Sequence, residues 1–185
     1  MNIRPARATD IDAIARLHAE SWRVAYRGQY SDAFLDGPVF GDRLTVWKER
    51  LTSPAENQHT IVAEDGSGAI AGFACAFGAD DPQWGTLLDN IHVDPARKRA
   101  GIGTRLLGEV GRLVSRHYPS SGLYLWVLEG NASARRFYER WGAQNAGAQE
   151  FEPAGGGKVT SLRYVWPDLT TLRASGRKTP EGGAR

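Results

Sequence analysis

The sequence predicts an α/β (α+β) protein, a mixed and mostly antiparallel sheet of about seven strands with helices on both faces. Three observations predict it. A strand over 86–93, an amphipathic helix over 104–118 and an apolar run over 122–128 follow one another, and strand, helix, strand makes a right-handed parallel crossover. Upstream, segments 59–64 and 69–77 flank Asp65-Gly66-Ser67-Gly68, which marks an antiparallel hairpin. Downstream, segments 143–152 and 158–166 flank Pro153-Ala154-Gly155-Gly156-Gly157 and complete the sheet.

In chain order, residues 2–7 make the first strand, and Thr9 is the expected N-cap of a helix. Ile11, Ile14, Ala15, His18 and Trp22 recur at three and four along one apolar face of that helix. No partner is spaced to join His18 in a metal site, so it is expected to be a packed histidine with one hydrogen bond. Gly28 and Ser31 mark a break and a second helix start. Trp22, Tyr26 and Tyr30 combine apolar area with a polar handle, which suits a substrate pocket and equally the core of a helical hairpin. Leu44, Trp47 and Leu51 set a third helix over 40–51. Cys75 lies in a small-residue run with nothing nearby in sequence to lower its pKa, so it packs as a small hydrophobe. Gly108 and Gly111 interrupt the helix of the crossover, and close packing onto the sheet is the expected return. The strand over 122–128 is almost continuously apolar, as when both faces are covered.

Composition narrows the function. The chain of 185 residues, 41% hydrophobic and 24% charged, suits one domain, set at 1–172, with a polar tail over 173–185 expected to be disordered. A net charge of +2 from 23 basic and 21 acidic residues argues against a dedicated nucleic-acid partner. One cysteine allows no internal disulfide, no Cys/His spacing suggests a metal, and Met1-Asn2-Ile3-Arg4 opens no apolar signal segment. The expectation is a cytoplasmic protein without a membrane span, and a homodimer is left open.

The most informative stretch runs from Leu87 to Leu107. The strand ends at Asp94-Pro95, and a basic turn with glycines at 101 and 103 leads into the helix. Glycines allow close backbone approach, and the first amides of a helix lack internal partners at its positive dipole end, so the turn should bind phosphate. Thr104-Arg105 after Gly103 excludes a nucleoside-triphosphate loop, which needs Lys then Ser/Thr. Leu106 occupies the third glycine position of a dinucleotide fingerprint and excludes that reading too.

Lys98-Arg99-Ala100-Gly101-Ile102-Gly103 resembles the Gln/Arg-x-x-Gly-x-Gly/Ala loop of the GCN5-related N-acetyltransferase (GNAT) superfamily, with Lys98 in place of Gln/Arg. A second stretch is similar to the family's Asn-x-x-Ala-x-x-Phe-Tyr-x-x-x-Gly-Phe pattern at Asn131, Ala134, Phe137, Tyr138 and Gly142, with Ala143 departing from it. The resemblance implies a sheet splayed between strands four and five and acetyl-CoA as cosubstrate. It places the pyrophosphate on Lys98, Arg99, Ala100, Gly101, Ile102, Gly103 and Thr104, with further charge from Arg97 and Arg105. It places the pantetheine arm against Ile91, His92 and Val93, and against Asn131 and Ala134. Transfer to a primary amine by direct attack is the implied reaction, on a small molecule or on a peptide or protein. Tyr138 is the implied acid for the departing thiolate, and Asp89 is the first expected base, with His92 second and Glu20 or Glu129 behind. Trp22, Tyr26 and Tyr30 are the expected acceptor wall. A non-catalytic acyl-CoA-binding module is the alternative.

Overall fold

The longest strand sets the architecture. The run Ala71 to Ala76 is buried on both faces, so it needs a layer of helices above and below. In the computed structural model, which describes residues 1–170 and 172, this run lies in β3 (Ile70–Asp81). β3 pairs antiparallel with β2 (Gln58–Glu64) on one side and β4 (Gly85–Val93) on the other. With β1 (Asn2–Pro5), β5 (Leu123–Leu128), β6 (Gln144–Phe151) and β7 (Val159–Trp166), the sheet has seven strands in the order β1-β2-β3-β4-β5-β7-β6. Every neighbouring pair is antiparallel except β4 and β5. That parallel pair is joined by α4 (Ile102–His117), as the crossover pattern predicts.

α4 covers one face, with Leu106, Leu107, Val110 and Val114 buried in the same cluster as Ala74, Ala76, Leu88, Leu125 and Val127. A Cβ on Gly72 would stand 3.0 Å from Leu106 and 3.1 Å from Ile102, so the missing side chain lets the start of α4 sit tightly on the sheet. α1 (Ile11–Ala25) and α3 (Val39–Thr52) cover the other face, burying Ile14, Leu17 and Trp47 against Val62, Phe73 and Cys75. Two short helices complete the layer arrangement: α2 (Asp32–Asp36), capped by Ser31, and α5 (Ala132–Arg140). Among the described residues no helix is long and apolar enough to cross a membrane.

Several expectations are corrected. Thr9 does not cap α1, because a 3-10 turn over Ala8–Asp10 precedes it and the Asp10 carboxylate accepts the Arg7 amide at 2.8 Å instead. Gly111 packs against Leu172, whose Cβ would lie 2.9 Å from an added Cβ, rather than against the sheet. β5 is covered by α4 through Leu123, Leu125 and Val127 and, at Leu128, by α1 and α2 on the other face, where Trp126 lies under the Arg163 guanidinium at 4.4 Å. The expected tail over 173–185 lies outside the described residues.

Asp10 is buried and ties the N-terminus together, accepting from Arg4 at 2.7 Å while the same guanidinium reaches Glu64 at 2.5 Å. The Arg4 hydrogen bond holds its carboxyl below the usual carboxylate range. A depressed folded pKa contributes stability above the unfolded value and loses it as pH falls through the folded one. Asp10→Asn is therefore expected to destabilise the fold by about 1.5–3 kcal/mol at neutral pH. In urea unfolding, the gap to the parent should close as pH falls below about 4. A pH-independent gap would contradict this account.

Candidate active site

The site begins where the parallel pair stops. Only Thr86 with Leu123 and Leu87 with Tyr124 are in register, and beyond them β4 and β5 diverge. The Asp94 amide donates to Ala71 at 3.0 Å, and alternation along an antiparallel ladder then turns the amides and carbonyls of Ile91 and Val93 away from β3, toward the gap. A cleft of about 870 Å³ opens there. Its walls bring together Ile91, His92, Val93, Lys98, Arg99, Gly101, Ile102, Gly103, Thr104, Asn131, Ala134, Tyr138, Asp89 and Tyr26. Ala100, Trp22 and Tyr30 are not among its lining residues.

At one end lies the basic turn. Arg97 pairs with Asp65 at 2.5 Å and Asp94 at 3.2 Å, which fastens the turn to the β2–β3 hairpin, and Arg105 donates to the Met1 carbonyl at 2.9 Å. The turn's cations therefore divide by role. Lys98 and Arg99 are exposed and form no ion pair or hydrogen bond with the described residues. Gly101 holds φ at +75° immediately before α4, a left-handed conformation that favours glycine. The first intrahelical bond runs from the Arg105 amide to Gly101, so the amides of Ile102, Gly103 and Thr104 are left open at the positive end of a 16-residue helix.

The opposite wall is the start of α5. Asn131 Oδ1 accepts the Ala134 amide at 3.2 Å and caps the helix, which ends with Gly142 at φ +87°. Phe137 faces Gly103 across the cleft, 3.5 Å from where a Cβ would sit. Tyr138 is 8% exposed, packed edge-on to Trp166, with no hydrogen bond to its hydroxyl among the described residues. Burial pushes its phenol well above the ordinary value, so it keeps its proton.

The third wall is the C-terminal half of α1. Trp22, Tyr26 and Tyr30 form a ring cluster with centroids 5.0–5.3 Å apart, of which only Tyr26 reaches the cleft. Asp89 lies at a bulge, since Cys75 pairs with Asn90 while Ala76 pairs with Leu88. Simple alternation would put Asp89 on the face of Ile91 and Val93. The extra residue instead lets Asp89 and Asn90 both reach Arg50 of α3, at 2.5 and 2.9 Å. His92 is better placed as a free base. Its Nδ1 is 2.8 Å from Ser21 Oγ, and its ring lies 4.4 Å from that of His18, tilted by 36°. Burial first, then the charges of Arg43 and Lys98, push the His92 imidazole down to about 3.

Ser21, Trp126, Phe137 and Arg140 also line the cleft, although they were not expected as site residues. Phe137 had a signal, since it belongs to the second motif, and Arg140 follows Tyr138 by two. Ser21 had none, because its role depends on a histidine 71 residues away.

The profile of the acetyltransferase (GNAT) family matches residues 11–143. An uncharacterized N-acetyltransferase, YuaI, of Bacillus subtilis is 29% identical over 176 residues, covering 94% of this chain and 96% of the relative. A probable N-acetyltransferase, Rv2775, of Mycobacterium tuberculosis is 30% identical over 142 residues, covering 76% and 78%. Among solved structures, the PaiA N-acetyltransferase of Thermoplasma acidophilum in complex with coenzyme A superposes with a TM-score of 0.67 at 16% identity, covering 89% of this chain and 98% of that one. A GCN5-related N-acetyltransferase of Rhodopseudomonas palustris gives a TM-score of 0.70 at 19% identity, covering 89% and 93%. At these identities the structural likeness is one of fold.

The half-buried, cation-flanked setting of His92 makes a solution prediction. Its imidazole should stay neutral, with ring resonances that do not titrate between about pH 5 and 8 in the free protein. An NMR titration with a midpoint near the ordinary 6.5 would contradict the geometry.

Proposed function

The chain belongs to the acetyltransferase (GNAT) family, and from that premise we propose that it moves an acetyl group from acetyl-CoA to a primary amine by direct attack within a ternary complex. One observation carries the reading. The unpaired edge of β4 runs straight into the open N-terminus of α4, a strand of free amides and carbonyls leading to a cluster of free amides and two free cations. Coenzyme A has the complementary sequence of groups, an amide-bearing arm followed by a pyrophosphate, so the residues present fit it.

Ile91 and Val93 pair their main chain with the arm as an added strand would, and Asn131 and Ala134 border it from α5. The amides of Ile102, Gly103 and Thr104, with Lys98 and Arg99, receive the pyrophosphate, while Gly101 and Ala100 shape the turn. The thioester supplies the electrophilic carbon. Tyr138, kept protonated by burial, gives its proton to the departing sulfur and regains one from solvent through the open cleft.

The amine's proton goes to His92 in this reading. Asp89 was the first expectation, but its carboxylate is already compensated by Arg50, whereas His92 Nε2 has no protein partner among the described residues. A base held near 3 cannot deprotonate a free ammonium, whose pKa is about 10. The acceptor therefore enters neutral, and its nitrogen becomes acidic enough for His92 only as the C–N bond forms. Tyr26 lines the acceptor side, backed by Trp22 and Tyr30.

Coenzyme A titration by calorimetry, together with thiol release across a panel of amines, tests the whole reading. Binding with release for at least one primary amine is expected. Binding without release under any acceptor would favour a non-catalytic acyl-CoA-binding module, and absence of binding would remove the site. Tyr138→Phe should lower turnover by about 10²-fold with little change in coenzyme affinity. Unchanged turnover would remove its role as acid. Finally, log(kcat/KM) should rise with pH until the acceptor's own ammonium pKa and should move when the acceptor is changed. A break fixed near 6.5 for every acceptor would contradict the neutral-entry step.

A further inference from the structure

Behind His92 lies a polar pair that the reaction as described does not use. His18 and Trp47 are both fully buried, on α1 and α3. Trp47 Nε1 stands 2.9 Å from His18 Nδ1, and an indole N–H only donates. His18 Nδ1 is therefore the acceptor, and the ring's proton sits on Nε2. That Nε2 is buried and has no partner. An unmet buried donor costs about 1–3 kcal/mol. The imidazole satisfies the Trp47 indole through Nδ1 and leaves Nε2 unpaired, and the aromatic ring nearest to it is that of His92, 4.4 Å away and inclined by 36°. Phe73 closes the trio, 5.3 Å from His92 and 5.4 Å from His18.

We propose that His18, locked in its neutral form by Trp47, is a positioning residue that holds the His92 imidazole with Nε2 toward the cleft and offers it a π face while it carries the proton taken from the acceptor amine. The inference rests on His92 as proton acceptor. In the step, the amine N–H bond breaks and an Nε2–H bond forms on His92, while Nδ1–H stays donated to Ser21 Oγ; the proton later leaves to solvent through the open cleft. The surroundings explain why His18 must stay neutral. His92 is already faced by Arg43 of α3 and by Lys98 of the basic turn, and His18 by Arg43 and Arg50 of α3. A charged His18 would add a repelling cation beside His92. A neutral aromatic ring instead attracts the transient imidazolium. Occupying Nδ1 with a donor-only indole blocks the nitrogen at which His18 would take a second proton.

Trp47→Phe keeps an aromatic ring, removes the donor and shortens the side chain by one ring, and His18→Phe removes the imidazole together with the acceptor of the Trp47 indole. Both are expected to lower kcat at least about tenfold, with coenzyme A affinity and the KM for acetyl-CoA within about twofold of the parent. Trp47→Phe should also release the fixed Nε2–H tautomer of His18, read by nitrogen-15 NMR. A purely structural role for Trp47 would not tie that tautomer change to the loss of kcat. Tyr118→Phe is the control: it removes a hydrogen bond of 2.8 Å to His59, outside the site, and should leave kcat unchanged.

Nitrogen-15 NMR of the parent's histidines decides the matter even if a variant fails to fold. His18 should show the Nε2–H tautomer without titrating between about pH 5 and 8. An Nδ1–H tautomer, titration in that range, or folded variants with parental kcat would overturn the proposal. If His92→Gln keeps full turnover, the assignment of His92 fails, and this inference falls with it. If His92→Gln loses turnover while Trp47→Phe and His18→Phe do not, only the present inference fails.

Discussion

Everything at the site depends on two parallel strands that are hydrogen-bonded for two residue pairs and then part. A longer ladder would satisfy the second edge of β4, leaving no backbone groups free and no gap. The divergence leaves Ile91 and Val93 with open amides and carbonyls at the centre of the molecule, where unpaired backbone is expensive unless water or a ligand meets it. It persists because both strands are anchored elsewhere. β4 is paired with β3 along its length and β5 with β7, so neither is free to close on the other. The helix joining them covers the opposite face, and Gly72 lets its first turn lie close to the sheet, which brings the helix N-terminus to the end of the free edge.

The parts of this arrangement carried by local rules were legible in the sequence. The strand-turn-helix at Asp94 to Thr104, the Asn131 cap, the Gly142 stop and the hairpin at Asp65 to Gly68 each follow from residues within a few positions of one another. What was not legible depends on contacts across the chain. Arg97 looked like a phosphate ligand until its partners, Asp65 and Asp94, were seen around it. Asp89 looked like a free base on the face of Ile91, but the bulge turns it to Arg50. Trp22 and Tyr30 looked equivalent to Tyr26, yet an open loop between two helices lets one of three rings reach the cleft. Thr9 does not cap α1 because a 3-10 turn over Ala8–Asp10 comes first, closed by the buried Asp10 carboxylate that accepts the Arg7 amide and binds Arg4.

The electrostatics of the site have a common theme. Tyr138 is buried and holds its proton; His92 is half-buried, and desolvation keeps it from taking one. Opposite shifts from one cause, desolvation, leave an acid and a base facing the same cleft, both uncharged at neutral pH. The cations near His92 deepen its share of this division, and the compensated Asp89 adds no free charge between them. A neutral pair suits the proposed reaction, in which a neutral amine gives a proton to His92 and the departing sulfur takes one from Tyr138. It also makes the acceptor's own ionisation the gate to the chemistry, since no group in the cleft is basic enough to strip a proton from a free ammonium.

The central claim is that the free edge of β4 receives the coenzyme's arm as an added strand. Amide hydrogen exchange, resolved at single residues with and without coenzyme A, tests it most directly. The account predicts that the Ile91 and Val93 amides become strongly protected on binding while those of His92 and Asp94, already bonded to β3, change little. Coenzyme A that binds and leaves Ile91 and Val93 exchanging at their free rates would contradict it.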